Sequence, residues 1–209
     1  MTAETDSLIF DLDGTLWDAT ATVAKAWQAA RKKVDFEIQE ITQQDIRNIA
    51  GTQHDLIFKK LFPQLTKEQQ HELMEVSGQE EMAHIKKYGG ELYPGLQDTL
   101  KYLHTKYKLC IVSNCQDGYI EAFLDYHDLG IYFTDFECSG RTGNPKGENL
   151  KAVIARNKLQ AVFYVGDTQG DYEASVVAGI PFIYARYGFR EVERFDKVID
   201  KPTDLKELF

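Results

Sequence analysis

Apolar residues along this chain follow two alternating rhythms. Unbroken apolar runs of four or five residues, or nearly so, are Leu8-Ile9-Phe10, Leu109-Cys110-Ile111-Val112, Ala161-Val162-Phe163-Tyr164-Val165 and Pro181-Phe182-Ile183-Tyr184-Ala185. Such runs mark strands buried on both faces. A shorter strand is predicted near Phe136-Glu137-Cys138. Between the runs, apolar residues recur at helical spacing: Leu96, Leu100 and Leu103, then Ile120, Phe123 and Leu124, then Leu150, Val153 and Ile154. Gly170 to Ala178 completes the series as a helix. Strands alternating with helices predict an α/β fold with a doubly wound parallel sheet.

Residues 18–88 depart from that alternation and read as mostly helical. Val23, Trp27, Ala30 and Val34 share one helical face. Ile46, Ile49 and Ala50 share another, and Leu56, Ile57 and Leu61 a third, ending at Pro63. Thr66 followed by Gln69 has the form of a capping box. Leu73, Val76 and Ile85 line the helix it opens, and Gly89-Gly90 closes it. The stretch is too long for a crossover, so it is expected to be an inserted helical cap over residues 18–88. Residues 1–17 and 89–209 then form the core.

Composition changes little in this picture. The chain has 209 residues, 43% hydrophobic and 27% charged, as an ordinary globule has. A net charge of −9 argues against nucleic acid or an anionic membrane as partner. The N-terminus lacks the pattern of a signal peptide, and no stretch approaches a membrane span. Cys110, Cys115 and Cys138 form no C-x-x-C motif, which suits a reducing compartment, so a cytoplasmic protein is expected.

Candidate chemistry gathers where predicted strands end. The first strand runs into Asp11-Leu12-Asp13-Gly14-Thr15. In an open α/β sheet, ligands bind at the carboxyl ends of strands. Two carboxylates one residue apart repel each other unless a divalent cation neutralises them. The second run leads into Ser113-Asn114, whose hydroxyl, amide and backbone N–H groups suit phosphate oxygens. Gly143-Asn144-Pro145-Lys146-Gly147 places a cation at a helix start, where anions are favoured. Val165-Gly166-Asp167-Thr168-Gln169-Gly170-Asp171 brings two more acids to a strand end. They are suited to Mg²⁺, although Asp171 or Thr168 also qualifies as a helix cap.

Taken in order, Asp-x-Asp-Gly-Thr, Ser-Asn, a loop lysine and Gly-Asp-x-x-x-Asp resemble the haloacid dehalogenase superfamily, in the phosphoglycolate phosphatase-like and β-phosphoglucomutase-like branch with a helical cap. The resemblance covers nearly the whole chain and implies a Rossmann-like core. It implies Asp11 as nucleophile and Asp13 as general acid and base. Ser113 and Asn114 would hold phosphate, and Lys146 would neutralise the transferring group. Mg²⁺ would be held by Asp11, the Asp13 carbonyl and Asp167, with Asp171 binding a metal water or orienting Lys146. Arg47, Asn48, Thr52 and His54, in a cap stretch with Gly51, are candidates for touching the leaving group. Arg47 and His54 also read as solvated helix residues.

The acid at position 13 separates the chain from the metal-free dehalogenases. Gly166-Asp167 resembles the phosphatases more than the mutases, which usually carry Glu-Asp there. A phosphonatase would need a reactive cap lysine, and nothing marks Lys25, Lys59 or Lys60 as one. The expected activity is Mg²⁺-dependent hydrolysis of a small phosphorylated metabolite. A phosphosugar mutase and a non-catalytic binding module remain alternatives. A monomer or weak homodimer is expected.

Overall fold

The computed structural model describes residues 5–209 apart from Gln53, and the side chains of His54 and Asp55 also lie outside the described residues. The chain begins with β1 (Ser7–Phe10) and a two-residue β2 (Trp17–Asp18). Four helices follow: α1 (Thr20–Arg31), α2 (Gln43–Ile49), α3 (His54–Leu61) and α4 (Lys67–Tyr88). Then come β3 (Glu91–Leu92), α5 (Leu96–His104), β4 (Lys108–Ser113), α6 (Tyr119–Tyr126) and β5 (Asp135–Cys138). The remainder is α7 (Ser139–Thr142), α8 (Lys146–Asn157), β6 (Val162–Gly166), α9 (Gln169–Ala178), β7 (Phe182–Ala185), β8 (Lys197–Ile199) and α10 (Leu205–Leu208).

Six strands form one sheet in the order β5-β4-β1-β6-β7-β8, and every neighbouring pair is parallel. β1 is central and fully buried, as its unbroken apolar run requires. Leu8 and Phe10 point into one core, while Ile9 joins Cys110, Val112 and Tyr164 in the other. That alternation is the two-residue period of a strand. The chain departs from β1 toward β4 on one side and β6 on the other. This arrangement opens a crevice beyond the carboxyl end of β1, where Asp11 begins.

The sheet follows the sequence expectation, with β8 added at one edge. Three residues, one of them the exposed Lys197, carry too little pattern to announce a strand. A second sheet, the antiparallel ribbon of β2 and β3, pairs Trp17 with Leu92 and Asp18 with Glu91. It brings the two ends of the helical stretch side by side. Trp17 is completely buried there, with the edges of Tyr119 and Phe123 against its ring.

Within the helical stretch, α1 packs along α4, and Trp27 stacks on Phe58 at 5.2 Å. α3 ends two residues before Pro63. Thr66 and Gln69 form the predicted capping box, and a second one joins Thr42 to Asp45. The inner face of α4 differs from expectation. Val76 is only half-buried, and the buried stripe at four-residue spacing is Leu73, Ser77, Glu81 and Ile85. Among the described residues, no helix is long and apolar enough to cross a membrane.

Thr66 Oγ1 accepts the Gln69 N–H at 3.2 Å at an exposed helix start, so its effect is separable from the core. Thr66→Ala is expected to destabilise the protein by about 1 kcal/mol. Urea titration should show a lower midpoint with an unchanged slope, whereas a changed slope would mean that more than a cap was lost.

Candidate active site

The crevice is built around a buried lysine. Lys146 is the first residue of α8, and its side chain is 4% exposed. Its Nζ donates to Asp11 Oδ1 at 2.8 Å and to Asp171 Oδ1 at 2.6 Å. Burial pushes the ammonium pKa down, but the charges of Asp11 and Asp171 outweigh it and hold the group above its ordinary range. Lys146 is therefore a fixed cation. Asp11 continues the β1 ladder, its N–H donating to the Val165 carbonyl at 2.8 Å. Burial, and then the charge of Asp171, raises its carboxyl to about 6.

Asp171 combines the two roles the sequence left open. Its Oδ2 accepts from Thr168 N–H at 2.9 Å and from Thr168 Oγ1 at 2.6 Å, which caps α9. Its Oδ1 anchors Lys146. Asp167 is completely buried, and its Oδ2 accepts from the Phe189 N–H at 2.7 Å. Burial, with the charges of Asp171 and Asp11, pushes its carboxyl well above the usual range. Gly14 allows this approach. It has φ +85°, and a Cβ there would lie 2.2 Å from Asp167 Oδ2.

Carboxylate oxygens of Asp11, Asp167 and Asp171 lie within 4.8 Å of one another. Lys146 offsets part of their charge, and the rest raises Asp11 and Asp167. A crowded, buried, all-oxygen set of this kind fits a hard divalent cation. The Asp13 carboxylate stands outside this group and is turned to Tyr119, whose hydroxyl donates to Oδ1 at 3.2 Å. Burial, with the charges of Asp11 and Glu81, raises the Asp13 carboxyl to about 8. At neutral pH it holds a proton that it can donate.

Above these groups lies a cavity of about 90 Å³ between the sheet and the helical stretch. Ser113, at the buried end of β4, lines it. Asn114 also lines it, but its side chain is engaged: Nδ2 donates to the Gly51 carbonyl at 2.8 Å, and Oδ1 accepts from Ser139 at 2.7 Å. Its amide ties the helical stretch to the sheet. Arg47 is outside the lining and pairs with Asp18 at 2.7 Å. The His54 side chain lies outside the described residues. Lys25, Lys59 and Lys60 are exposed, as a phosphonatase lysine would not be.

Sequence reasoning missed Tyr119, Glu81, Gln116 and Phe189, all of which line the cavity. Two signals were available. β7 ends at the same sheet edge as β1 and leads to Phe189. Glu81 is an acid on an otherwise uncharged buried stripe, where a carboxylate is costly without partners.

A family model of haloacid dehalogenase-like hydrolases matches residues 8–185, and the chain belongs to that family. It is similar to a phosphoglycolate phosphatase of Vibrio vulnificus, 28% identical over 210 residues, covering 92% of this chain and 89% of the relative. A phosphoglycolate phosphatase of Synechococcus elongatus is 29% identical, covering 95% of this chain and 94% of its own. Among solved structures, a haloacid dehalogenase-like family protein of Streptococcus pneumoniae matches with a TM-score of 0.85 at 21% identity, covering 98% of each chain. At that identity the likeness is one of fold.

In the metal-free protein, the raised carboxyls make folding take up protons. Their contribution is complete below the ordinary value of 3.8 and is lost as pH rises through about 6 for Asp11 and about 8 for Asp13. A divalent cation bound by the acidic cluster would offset that loss. The rise in melting temperature on adding Mg²⁺ to chelator-treated protein should therefore be larger near pH 8 than near pH 5. Asp167→Asn should raise the metal-free midpoint and remove most of the Mg²⁺ gain. An equal Mg²⁺ shift at both pH values would contradict this electrostatic account.

Proposed function

We propose that this hydrolase is a Mg²⁺-dependent phosphatase acting on a small phosphomonoester, with residues 1–17 and 89–209 as catalytic core and residues 18–88 as cap. The observation that carries the reading is the division of labour between the two acids of the first loop. Asp11 is bound to a fixed cation, whereas Asp13 is turned away to the Tyr119 hydroxyl, where burial and neighbouring charges raise its carboxyl to about 8. Phosphoryl transfer needs a positioned nucleophile, charge neutralisation and a proton for the leaving oxygen.

Asp11 Oδ1 is held by Lys146, and the second oxygen attacks phosphorus. As the bond to the leaving oxygen breaks, Asp13 donates its proton, so an alcohol departs and an aspartyl-phosphate remains on Asp11. Asp13, now a carboxylate, takes a proton from water as that water attacks phosphorus. Inorganic phosphate leaves, and both acids return to their starting forms. Lys146 stays protonated throughout and lowers the repulsion between Asp11 and the incoming dianion. Ser113 Oγ and the backbone N–H groups after β1 and β4 bind the phosphoryl oxygens. Asp11, Asp167 and the Asp13 carbonyl would hold Mg²⁺, which when bound supplies Lewis-acid neutralisation of those oxygens. Asp171 keeps Lys146 in place.

The cap is read as closed. Asn114 reaches Gly51, Gln116 Nε2 donates to Glu81 at 2.9 Å, and Arg190 donates to the Asn48 carbonyl. Opening exchanges these few polar contacts for water, a gating step about the β2–β3 ribbon. The free thiols Cys110, Cys115 and Cys138 support a reducing, cytoplasmic setting.

The test is phosphate release from a panel of phosphorylated metabolites with and without Mg²⁺. Release should require the metal and fall by about 10⁴-fold or more in Asp11→Asn. In wild type quenched during turnover, mass spectrometry should find one phosphoryl group on the peptide containing Asp11. Isomer formation without free phosphate would move the reading to the mutase, and loss of neither activity nor label in Asp11→Asn would end it.

A further inference from the structure

The wall of the cavity facing Asp13 is made by the helical stretch, and its one charged side chain among the described residues is Glu81. Glu81 is 9% exposed and fixed from two sides. Its Oε2 accepts from Trp27 Nε1 at 3.0 Å, and its Oε1 accepts from Gln116 Nε2 at 2.9 Å. A carboxylate oxygen accepts more than one hydrogen bond, so each keeps acceptor capacity. The surrounding wall is mostly apolar, with Val23, Ile46, Ile49 and Ile57 beside the smaller polar Thr20 and Thr52.

No Lys or Arg is found among the described lining residues. Lys146 is committed to Asp11 and Asp171 below the cavity. Arg47 lies outside the lining, with one terminal nitrogen paired to Asp18 and its guanidinium 5.9 Å from the centre of the Phe189 ring. A carboxylate on the leaving group would enter a largely apolar space beside Glu81 and Asp11, where like charges repel strongly. A hydroxyl or ammonium would instead give Glu81 a donor. The volume of about 90 Å³ corresponds to roughly six to nine water-sized spaces, and the phosphoryl group takes a share of them. That leaves room for an alcohol of a few heavy atoms.

We infer that the substrate is the phosphate ester of a compact alcohol that presents a hydrogen-bond donor, hydroxyl or ammonium, to Glu81 and carries no carboxylate. The inference rests on the phosphatase reading and narrows it away from glycolate, the acid named in the relatives. Glu81 acts as a specificity residue: it selects the leaving group, while Asp11 and Asp13 perform the chemistry.

The experiment compares kcat/KM of the full-length, Mg²⁺-loaded enzyme for glycerol 1-phosphate, ethanolamine phosphate, phosphoglycolate and p-nitrophenyl phosphate. Glycerol 1-phosphate offers hydroxyls and ethanolamine phosphate an ammonium, so their order tells which donor Glu81 takes. The better of the two should exceed phosphoglycolate by about ten-fold or more. Glu81→Gln keeps the shape and removes the charge, and it should shrink that ratio by about ten-fold, with phosphoglycolate gaining. Because the ratio is taken on one preparation, a partly folded variant does not change it. A wild-type ratio near or below one, or a ratio that Glu81→Gln leaves unmoved, overturns the inference even while p-nitrophenyl phosphate is hydrolysed. No hydrolysis of any ester, p-nitrophenyl phosphate included, removes the phosphatase reading and this inference with it.

Discussion

The site depends on one buried ammonium held between two carboxylates. Lys146 reaches Asp11 at the end of β1 and Asp171 in the first turn of α9, and all three are buried. Removing these charges from water is costly, and their attraction repays the cost only when geometry and extra hydrogen bonds are right. Here the geometry is imposed by the sheet. β1 lies beside β6, so Asp11 and the first turn of α9 that carries Asp171 emerge at the same edge, and α8 presents its first residue to both. The second oxygen of Asp171 is occupied by the Thr168 cap, which fixes the carboxylate that in turn fixes the lysine. A helix cap, normally a local device, thus sets the position of the charge that holds Asp11.

The same arrangement leaves the centre over-supplied with negative charge. Asp167 receives the Phe189 N–H while the charges of Asp171 and Asp11 press on it, and Asp13 is pressed by Asp11 and Glu81. These tensions are resolved in two ways. Asp167 sits in an oxygen cluster of the size a hard cation occupies. Asp13 instead keeps its proton. Two acids separated by one residue thereby acquire opposite protonation habits, because alternate residues leaving a strand face different surroundings.

Much of this was legible in the chain. The apolar runs announced the central strands because strands buried on both faces tolerate no polar interruption, and their ends announced Asp11, Asp13, Asp167 and Asp171. Thr66 with Gln69 announced a helix start for a local reason that needs no tertiary contact. What escaped notice depends on long-range packing. Tyr119, Gln116 and Glu81 meet around the cavity only after α4 lies over the start of α6, and nothing in their spacing links them. Arg47, half-buried, pairs with Asp18 and stays outside the cavity lining. The two-residue strands β2 and β3 are too short to show periodicity, and they form because their partners are brought together.

That ribbon bears on how the chain folds. β1 and β4 are neighbours in the sheet, yet the whole helical stretch separates them in sequence. Closing so long a loop in a disordered chain carries an entropic penalty and slows the pairing of distant strands. With Trp17 beside Leu92, a structured helical stretch begins and ends at one place. The tether that β1 and β4 then experience is short. For the sheet, the large insertion has the topological weight of a small turn, so nucleation of the core is decoupled from the length of what interrupts it.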